Sequence, residues 1–444
     1  MVPALLAAAR EHRDSEAIVW RDQRFTYGWL LNELDAWRAR LDGEGVGAGS
    51  IVALEADFSP RAVAALLALV DRGCIVVPMS SAAEKQKAEF GEIAEIEVII
   101  DLRGDPSIQR TGRDAQHELY MQLRALAHPG LVLFSSGSTG KSKAAVHDFV
   151  PLLEKFSVRR HARRMLAFLL FDHIGGVNTM LYVLSNAGCL VTIEDRDPEA
   201  VCRAIEKHRV EVLPATPTFL HLLLLSDAWR NHDLSSLQLV TYGTEVMPEQ
   251  TLRRIHEVFP RLELQQTYGL SELGILRSKS RSRDSLWVRI GGEGFQTRVR
   301  DGLLEIQAHS AMLGYLNAPS PFTTDGWFQT GDAVEVDGEY VRILGRRSEM
   351  INVGGQKVFP AEVETVLETM PGVDEAAVAG EPSALTGHMV VARVKLSTGE
   401  TLAQFRTRMR DFCRDRLEPF KIPQKIILVD APMHGDRFKK LRRY

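Results

Sequence analysis

Short apolar runs and helical patterns alternate along most of this 444-residue chain. Segment 25–41 places leucines and tryptophans on one helical face, 50–56 is a mostly apolar run, and 61–73 has a helical pattern again. The same alternation returns between 198 and 269. Alternation of this kind predicts an α/β fold in which helices cover buried sheets.

The pattern changes after about Arg346, where a block of about 100 residues has the size of a small separate domain. We therefore predict a large, multilayered α/β domain over 1–345 and a small α+β domain over 346–444. The predicted elements of the small domain are a helix at 360–370, strands at 373–379 and 389–396, a helix at 401–417 with Leu402, Phe405, Met409, Phe412 and Cys413 facing inward, and a strand at 425–430.

Composition and charge narrow the possible partners. The chain is 45% hydrophobic and 25% charged, as in an ordinary globular protein, and its net charge is −4. That balance gives no support for nucleic acid or an anionic membrane as a partner. The longest apolar stretch, 165–184, is interrupted by Asp172 and His173, so no membrane span is expected. Because the four cysteines are scattered and no signal-peptide pattern is present, we expect a soluble cytoplasmic protein.

A loop rich in glycine and hydroxyl residues is the strongest chemical feature of the sequence. SSGSTGKSK (135–143) follows the apolar run 131–134, which predicts a loop at the end of a buried strand. Small residues let the backbone approach a phosphate, hydroxyl and N–H groups donate to its oxygens, and lysines offset its charge. The loop therefore indicates a nucleotide triphosphate as the ligand.

Two other interpretations of this loop stay open on the residues alone. Residues 140–142 match the second half of the P-loop pattern GxxxxGK(S/T), with Ser135 where its first glycine would stand. A P-loop NTPase would need a helix directly after Lys141, whereas 144–149 has no clean helical pattern. An ordinary flexible turn is the remaining alternative.

Two further predicted strands end in similar loops. Segments 237–245 and 262–272 each run from an apolar strand into Tyr-Gly, small hydroxyl residues and a glutamate. Ligands of open α/β sheets bind at the carboxyl ends of the strands. The two turns therefore predict a slot for a flat base, with Tyr268 available for stacking. Glu272 is a single carboxylate near a phosphate site, as expected for Mg²⁺ held mostly by phosphates and water.

Four motifs, in this order, resemble those of the adenylate-forming superfamily of acyl-CoA synthetases, aryl-acid ligases, peptide-synthetase adenylation domains and luciferases. The loop 135–143 resembles (S/T)SGTTGxPK, and YGLSE (268–272) resembles YGxTE. GWFQTGD (326–332) resembles GWxxTGD, and 345–364 resembles GRxxxxIxxGGxxxxPxEVE. The resemblance covers nearly the whole chain. It implies a large AMP-binding domain followed by a small mobile domain.

The resemblance implies a role for each matching position. The phosphate loop would hold the β- and γ-phosphates, and the first Tyr-Gly turn would border the adenine, with Tyr268 against its face. Ser271 and Glu272 would contact the α-phosphate and Mg²⁺, while Asp332 and Arg346 would hold the ribose. The implied ATP-binding residues are Ser136, Gly137, Ser138, Thr139, Gly140, Lys143, Gly243, Thr244, Glu245, Tyr268, Gly269, Leu270, Ser271, Asp332, Arg346 and Lys439.

The implied reaction requires a fixed cation. A carboxylate attacks the α-phosphate of ATP to give an acyl-adenylate and pyrophosphate, and a thiol then displaces AMP. Negative charge accumulates at the α-phosphate, so a preorganised cation in a dry site has a large effect on the rate. The family supplies a lysine near the C-terminus. We assign this role to Lys439, with Lys440 as the competing choice, and the alignment places Phe438 where glycine is usual.

Two positions depart from the family pattern. Ser142 replaces the proline of the phosphate loop, which predicts a less rigid loop and a looser grip on pyrophosphate. Ser348 stands where the family has an aspartate or lysine hinge for the rotation of the small domain.

LLFDHIGG (169–176) lies where acyl-CoA ligases carry a PLFHxxG-like element. This alignment makes His173 a catalytic gate near the substrate carboxylate, with Gly175 and Gly176 allowing an apolar chain or ring to approach the backbone. Amino-acid-activating relatives have an aspartate here that binds the substrate ammonium, and Asp172 mimics it. We favour a non-amino acid. Asp172 and His173 could also simply pair and cap a loop.

The sequence therefore predicts a stand-alone ligase that uses ATP and Mg²⁺ to activate a small carboxylic acid. No carrier domain follows residue 444, so the expected thiol acceptor is CoA or the phosphopantetheine of a separate acyl carrier protein. The alternatives are an amino-acid-activating enzyme and a non-catalytic nucleotide-binding module, the latter motivated by Ser348 and the irregular tail.

Overall fold

Several helices begin at caps that the sequence supplies. The computed structural model describes residues 2–136, 142–292 and 294–442. At the start of one helix the Ser59 hydroxyl accepts a hydrogen bond from the Ala62 N–H at 3.2 Å, and Pro60 is the first helical residue. Asp197 and Thr216 cap two later helices in the same way. A short polar side chain followed by proline satisfies a free N–H and presets the backbone for a helix.

Helices and strands alternate over most of the described chain. The helices are α1 Val2–Leu5, α2 Ala7–Glu11, α3 Tyr27–Gly43, α4 Pro60–Asp71, α5 Lys87–Ile93, α6 Glu118–Leu126, α7 Phe149–Glu154, α8 Ile174–Ser185, α9 Pro198–His208, α10 Pro217–Ser226, α11 Glu249–Val258, α12 Pro360–Glu368 and α13 Leu402–Cys413. The strands are β1 Glu16–Trp20, β2 Gln23–Thr26, β3 Ile51–Glu55, β4 Ile75–Met79, β5 Val98–Asp101, β6 Ser107–Arg110, β7 Gly130–Ser136, β8 Ser142–Asp148, β9 Arg164–Leu166, β10 Cys189–Val191, β11 Val212–Ala215, β12 Leu239–Tyr242, β13 Glu263–Gln266, β14 Tyr268–Leu270, β15 Gly274–Leu276, β16 Ser278–Ser280, β17 Trp287–Ile290, β18 Phe295–Arg300, β19 Leu303–Ala308, β20 Gly314–Tyr315, β21 Phe328–Asp337, β22 Tyr340–Arg346, β23 Ile351–Val353, β24 Gln356–Val358, β25 Val373–Ser383, β26 Gly387–Leu396 and β27 Lys425–Leu428.

Two seven-stranded sheets form most of the large N-terminal part. One has the order β13-β12-β11-β9-β10-β1-β2, and the other has the order β20-β8-β7-β4-β3-β5-β6. Side chains of α3, α4 and α8 share a single core with strands of both sheets, so these helices form a layer between them. Helices α9, α10 and α11 pack against β11 and β12 of the first sheet in a second core. The predicted multilayered α/β architecture is confirmed.

A third sheet is built mainly from antiparallel pairs. Its order is β16-β17-β22-β21-β19-β18, and it packs with the β14–β15 hairpin in one core. Because β14 follows β13 after a single residue, this arrangement joins the edge of the first sheet to the third sheet.

The C-terminal residues form their own sheet and core. Strand β22 ends at Arg346, and the next strand, β23, belongs to a separate five-stranded sheet of order β24-β23-β26-β25 with β27 beside β26. Helices α12 and α13 bury Val363, Phe405 and Met409 against it. The structure thus has the large and small parts that the sequence predicts, while the limits 1–345 and 346–444 stay a prediction.

The structure corrects several predicted bounds in the small part. Strand β25 continues to Ser383, because it pairs with β26 as far as Gly387. The helix predicted over 401–417 ends at Cys413. Leu402 was predicted to face inward, but it is 47% exposed because it occupies the first turn of α13, ahead of the part that contacts the sheet. None of the helices in the described part of the chain combines the length and apolar character that a membrane crossing needs.

Candidate active site

The phosphate loop lies between two antiparallel strands of the second sheet. Ser136 at the end of β7 pairs with Ser142 at the start of β8, and Ser135 pairs with Lys143. The predicted phosphate-binding residues Gly137, Ser138, Thr139 and Gly140 lie outside the described residues. Since residues 142–148 form a strand, the helix that a P-loop NTPase requires after Lys141 does not follow, and that interpretation is wrong.

Asn317 fixes the start of β8 through both halves of its side-chain amide. Its Nδ2 donates to the Ser142 carbonyl oxygen at 2.8 Å, and its Oδ1 accepts from the Ala144 N–H at 3.1 Å. The amide therefore spans the backbone on either side of Lys143. Sequence reasoning missed Asn317, because no motif links it to a strand more than 170 residues earlier.

Lys143, Tyr315 and Glu272 form a connected group at the start of β8. The Lys143 ammonium lies 5.2 Å from the centroid of the Tyr315 ring, and the Tyr315 hydroxyl donates to Glu272 Oε1 at 2.7 Å. Burial and the Glu272 charge raise the pKa of Tyr315, so the phenol stays protonated as a donor. Sequence reasoning missed Tyr315, which lies on β20 and reaches the site only because that strand pairs with β8.

The Tyr-Gly motif forms the β14–β15 hairpin rather than a simple loop. A Cβ at Gly269 would lie 2.9 Å from the Gly274 carbonyl oxygen on the facing strand, so a glycine suits the close approach of the two strands. Leu270 ends β14, and the turn that follows presents Ser271 and Glu272. The buried His147 Nε2 lies 2.6 Å from the Ser271 carbonyl oxygen and holds this turn against β8.

Tyr268, Asp332 and Arg346 form a polar group where the third sheet meets the hairpin, with Tyr268 and Asp332 buried and the Arg346 side chain half exposed. The Tyr268 hydroxyl donates to Asp332 Oδ2 at 2.5 Å, and Arg346 Nε lies 2.8 Å from Asp332 Oδ1. Asp332 and Arg346 are register partners on β21 and β22. Burial raises the pKa of Asp332, and the Arg346 charge opposes that rise. The sheet thus brings together the three residues predicted to hold adenine and ribose.

Removing the Tyr268 hydroxyl tests this group. We expect Tyr268→Phe to lower the free energy of unfolding by about 1–3 kcal/mol, because the buried Asp332 carboxylate loses one of its two donors. We also expect a higher KM for ATP. Urea unfolding and initial rates measure the two effects. Tyr340→Phe is the matched control, and equal results for the two variants would contradict the assignment.

The first Tyr-Gly turn, at the end of β12, binds the C-terminal tail, residues 433–442. A Cβ at Gly243 would lie 2.6 Å from the Thr267 carbonyl oxygen, and Thr244 has a φ of +73°. Glu245 accepts hydrogen bonds from the Thr218 hydroxyl at 2.7 Å and from the Lys440 N–H at 2.8 Å. The Glu245 carboxylate therefore joins the first sheet to the tail, in addition to lying on the predicted adenine-binding turn.

The two lysines of the tail occupy different surroundings. Lys440 Nζ lies 2.5 Å from Glu368 and 3.6 Å from Glu364, both buried on α12. Lys439 is directed into a cleft of the large part that His173 and Thr244 also line. Burial lowers the pKa of Lys439, while Glu245 and Glu272 act to raise it. This arrangement favours Lys439 over Lys440 as the cation of the site.

The predicted acyl pocket begins at the N-terminus of α8. His173 caps this helix, since its Nδ1 accepts from the Gly175 N–H at 3.0 Å. Burial, followed by the charges of Lys439 and Arg437, lowers the pKa of His173 well below its usual value, so the imidazole is neutral. The cleft in front of it is lined by Phe168, Leu169, Leu170, His173, Arg196, Thr216, Thr244, Arg437 and Lys439.

Gly175 and Gly176 are explained by packing of the chain on itself. A Cβ at Gly176 would lie 2.0 Å from the Leu170 carbonyl oxygen, and one at Gly175 would lie 2.5 Å from Leu169 Cδ1. The preceding loop therefore fills the space that a substrate chain or ring was expected to occupy. Their direct contact with the substrate stays a prediction.

Asp172 is held by groups of the protein. Its Oδ2 accepts from the Ser80 hydroxyl at 2.8 Å and lies 3.7 Å from Arg437 Nη2. Asp172 and His173 do not pair with each other, contrary to the prediction. His173 caps α8. Asp172 instead bonds to Ser80, directly after β4, and pairs with Arg437 of the tail. Ser348 lies in a one-turn helix, Arg347–Glu349, between β22 and β23, and its hinge role stays a prediction.

A metal ion at this site would have to rely on ligands from the nucleotide. Within the described ranges, no group of three or more His, Cys, Asp or Glu side chains is placed to hold an ion. Glu272 alone, with Oε1 bonded to Tyr315, is the kind of single oxygen donor that suits Mg²⁺ bound mainly by phosphates and water.

Comparisons with known proteins agree with this fold. Residues 5–295 match the family model of AMP-binding enzymes, and residues 362–435 match that of the AMP-binding enzyme C-terminal domain. An indoleacetate–CoA ligase of Aromatoleum aromaticum is 26% identical, over 93% of this chain and 91% of the ligase. The solved anthranilate CoA ligase AuaEII with anthranoyl-AMP has a TM-score of 0.82 at 21% identity, covering 99% of this chain and 95% of that one. The o-succinylbenzoate CoA synthetase of Bacillus subtilis with its acyl-adenylate has a TM-score of 0.78 at 21% identity, covering 99% and 97%.

The chain belongs to the AMP-binding enzyme family, whose model covers well over half of it. It is an AMP-forming acid–thiol ligase of the acyl-CoA synthetase type, which uses ATP to activate a carboxylic acid and CoA as the acceptor. The amino-acid-activating alternative is not favoured.

Proposed function

We propose that the reaction takes place in the cleft between the first sheet and the tail, with Lys439 as the cation that binds the developing charge. The observation that carries this proposal is the position of Lys439. It is the tail lysine that lines the cleft beside His173 and Thr244, together with Arg437, and the Glu272 and Arg346 charges are near enough to affect its pKa.

The first step joins the acid to AMP. A carboxylate oxygen of the substrate attacks the α-phosphorus of ATP, the bond to the bridging oxygen breaks, and pyrophosphate leaves. Lys439 stabilises the charge that builds on the α-phosphate, and its partly buried position strengthens that effect. Because His173 Nδ1 accepts from the Gly175 N–H, the neutral ring carries its proton on Nε2 and orients the carboxylate by donating to it.

The polar groups around the cleft position the nucleotide. Lys143 and the turn at Ser271 face the phosphates, and Asp332 accepts from the ribose hydroxyls with the lone pairs that Tyr268 and Arg346 leave free. Gly243, Thr244 and Glu245 border the adenine. Glu272 binds Mg²⁺, which neutralises phosphate charge when it is bound.

The second step releases the product. The thiolate sulfur of CoA attacks the acyl carbon, AMP leaves with the oxygen that came from the acid, and a thioester remains. The phosphopantetheine of an acyl carrier protein has the same reactive end as CoA and is the second candidate acceptor. ATP and reduced thiols are both abundant in the cytoplasm, where we expect the enzyme to act.

The substrate class follows from the lining of the cleft. Phe168, Leu169 and Leu170 offer apolar contacts beside the position of the carboxylate. Asp172 is the residue that would bind an ammonium group. Its Oδ2 already accepts from Ser80 and lies beside the Arg437 charge, which leaves only the buried Oδ1 without a partner. A non-amino acid with an apolar body fits these contacts best.

The variant Asp172→Asn distinguishes a non-amino acid from an amino acid as the substrate. For a non-amino acid we expect acid-dependent exchange to fall by less than about tenfold, since the asparagine still accepts from Ser80 and only the weak pairing with Arg437 is lost. An amino-acid substrate would instead lose activity almost completely, because its ammonium would lose its counter-charge. The measurement compares the variant with the unmodified enzyme on the best acid and on its α-amino derivative.

ATP–pyrophosphate exchange with radiolabelled pyrophosphate, run across a panel of aryl, alkyl and amino acids, tests the proposed function. We expect exchange that depends on the acid, and CoA consumption once an acid is found. ATP hydrolysis without exchange, or nucleotide binding with neither activity, would contradict the proposal. Purified acyl carrier protein in place of CoA distinguishes the two acceptors.

A further inference from the structure

Phe438, next to Lys439, has an unusual backbone conformation. Its φ is +49°, in the left-handed region that favours glycine. A bulky side chain in this region is strained and persists only where surrounding contacts hold it in place. Contacts of the Phe438 side chain must therefore stabilise this conformation.

The Phe438 ring packs against a pair of aromatic side chains of the large part, Phe168 and Phe219, whose ring centroids are 4.4 Å apart. Its centroid lies 5.4 Å from that of Phe168 and 5.5 Å from that of Phe219, the second pair meeting edge to face. Both partners are buried in the core that covers the first sheet, and Phe438 packs against that core. On its other side the ring stacks with His434 of the tail at 5.1 Å.

Hydrogen bonds fix the backbone on both sides of this ring. The Thr216 hydroxyl donates to the Phe438 carbonyl oxygen at 2.8 Å, and Glu245 accepts from the Lys440 N–H at 2.8 Å. Arg196 donates to the Asp436 carbonyl oxygen at 2.7 Å. Three successive parts of the tail are thus bound to residues of the large part.

The tail itself is folded into a tight turn around this contact. The Gly435 N–H donates to the Lys439 carbonyl oxygen at 3.1 Å, and the Leu441 N–H donates to the Met433 carbonyl oxygen at 2.8 Å. Phe438 lies at the end of the turn. Its ring is therefore the one apolar side chain of the described turn that packs into the core of the first sheet.

We infer that Phe438 is a positioning residue, an aromatic anchor that seats the tail in the large part and so places Lys439 in the cleft. This inference rests on the proposed role of Lys439. Glycine at 438 would give the same backbone without strain. The chain instead has a phenylalanine whose ring packs against both Phe168 and Phe219. The tail can be bound in the large part or released from it. The Phe438 ring favours the bound state, because the ring is packed against the core only in that state.

The two small replacements at 438 are expected to differ. Phe438→Ala removes the ring and keeps a side chain in the left-handed region, so both effects oppose seating. Phe438→Gly removes the ring and also removes the strain. We expect acid-dependent exchange to fall by about tenfold or more in Phe438→Ala and by about threefold in Phe438→Gly, with Phe438→Leu close to the unmodified enzyme.

Hydrogen–deuterium exchange of the peptide that covers 433–442 gives a readout that needs no substrate. The unmodified protein should protect the Lys440 and Leu441 amides, and Phe438→Ala should lose that protection with an unchanged thermal midpoint. The matched control is Phe412→Ala, which removes a partly buried ring from the core of the small part and should leave both exchange measurements unchanged.

Retention of full pyrophosphate exchange or of tail protection in Phe438→Ala would overturn the inference. So would a larger loss in Phe438→Gly than in Phe438→Ala, because the backbone argument requires the opposite order. If no acid supports exchange by the unmodified protein, the proposed function fails, while tail protection still reports on the anchor. The two failures are therefore distinguishable.

Discussion

Replacing Lys439 by alanine is expected to lower acid-dependent ATP–pyrophosphate exchange by about 100- to 1000-fold, the usual effect of removing a preorganised group from a developing charge. Lys439 is partly buried, and the Glu245 and Glu272 charges act on it, so a mobile cation from solvent is a poor replacement for this fixed one. Thiolation of a supplied acyl-adenylate should be less affected, because that step does not form a bond to the α-phosphate. Exchange and thioester formation are measured separately.

Lys440→Ala is the control for this assignment. Lys440 is paired with Glu364 and Glu368, so its removal should lower the thermal midpoint rather than the chemistry. Exchange measured well below that midpoint should stay within about tenfold of the unmodified enzyme. If Lys440→Ala abolishes exchange and Lys439→Ala does not, the cation of the site is Lys440 and the assignment of Lys439 is wrong.

The second large effect is expected at Glu364, which holds the tail to the small part. Arg442 donates to both oxygens of this buried carboxylate at 2.8 Å, and the Val378 N–H donates to it at 2.9 Å. Glu364→Gln leaves Arg442 and Lys440 facing an amide in place of a charge. We expect a loss of about 3–5 kcal/mol in the free energy of unfolding, as for other buried pairs broken on one side.

The pH dependence of stability gives an independent check on Glu364. Although burial acts to raise it, the charges of Lys440 and Arg442 lower the pKa of Glu364 from its ordinary value of 4.5 to about 2. A lowered pKa in the folded state adds stability that is present above 4.5 and is lost as the pH falls toward 2. The loss amounts to about 3 kcal/mol at most, from about 1.4 kcal/mol per pH unit.

Urea unfolding between neutral and acidic pH measures this contribution. Glu364→Gln should remove the corresponding part of the acid dependence. Glu362→Gln is the matched control on the same helix, because Glu362 forms a more exposed pair with Lys421 and should change stability by less than about 1 kcal/mol. If the unmodified protein, Glu364→Gln and Glu362→Gln all lose the same stability on acidification, the contribution assigned to Glu364 is wrong.

The fold class could be predicted from the sequence because the apolar pattern depends on local geometry. The alternation of buried strands such as β3 and β4 with α4 is visible in the spacing of apolar residues. The order of the strands could not be predicted in the same way. Strands β1 and β2 join β10 in one sheet, and β20 pairs with β8, although long stretches of chain separate these partners.

The candidate site was predictable where a motif is continuous in sequence. Tyr268, Asp332 and Arg346 lie in three separate motifs, and the structure brings them into one hydrogen-bonded group. Tyr315 and Asn317 were missed because they lie outside every motif and reach the phosphate loop through the pairing of β20 with β8. Their contribution depends on tertiary structure alone.

The structure of the tail could be predicted from the sequence only in part. The resemblance identified Phe438 as a position where glycine is usual, and the left-handed φ at this position is a physical reason for that preference. Nothing in the sequence of the tail indicates that the phenylalanine ring packs against Phe168 and Phe219. That contact depends on how the small part meets the large part.

The most direct test of the central claim is to follow the oxygen of the acid. The substrate acid is labelled in both carboxylate oxygens with the heavy isotope, and the products of a complete reaction with ATP and CoA are analysed by mass spectrometry. Attack on the α-phosphorus predicts one heavy oxygen in each AMP and none in pyrophosphate. Heavy oxygen in inorganic phosphate with ADP as the nucleotide product, or unlabelled AMP, would contradict acyl-adenylate formation by this protein.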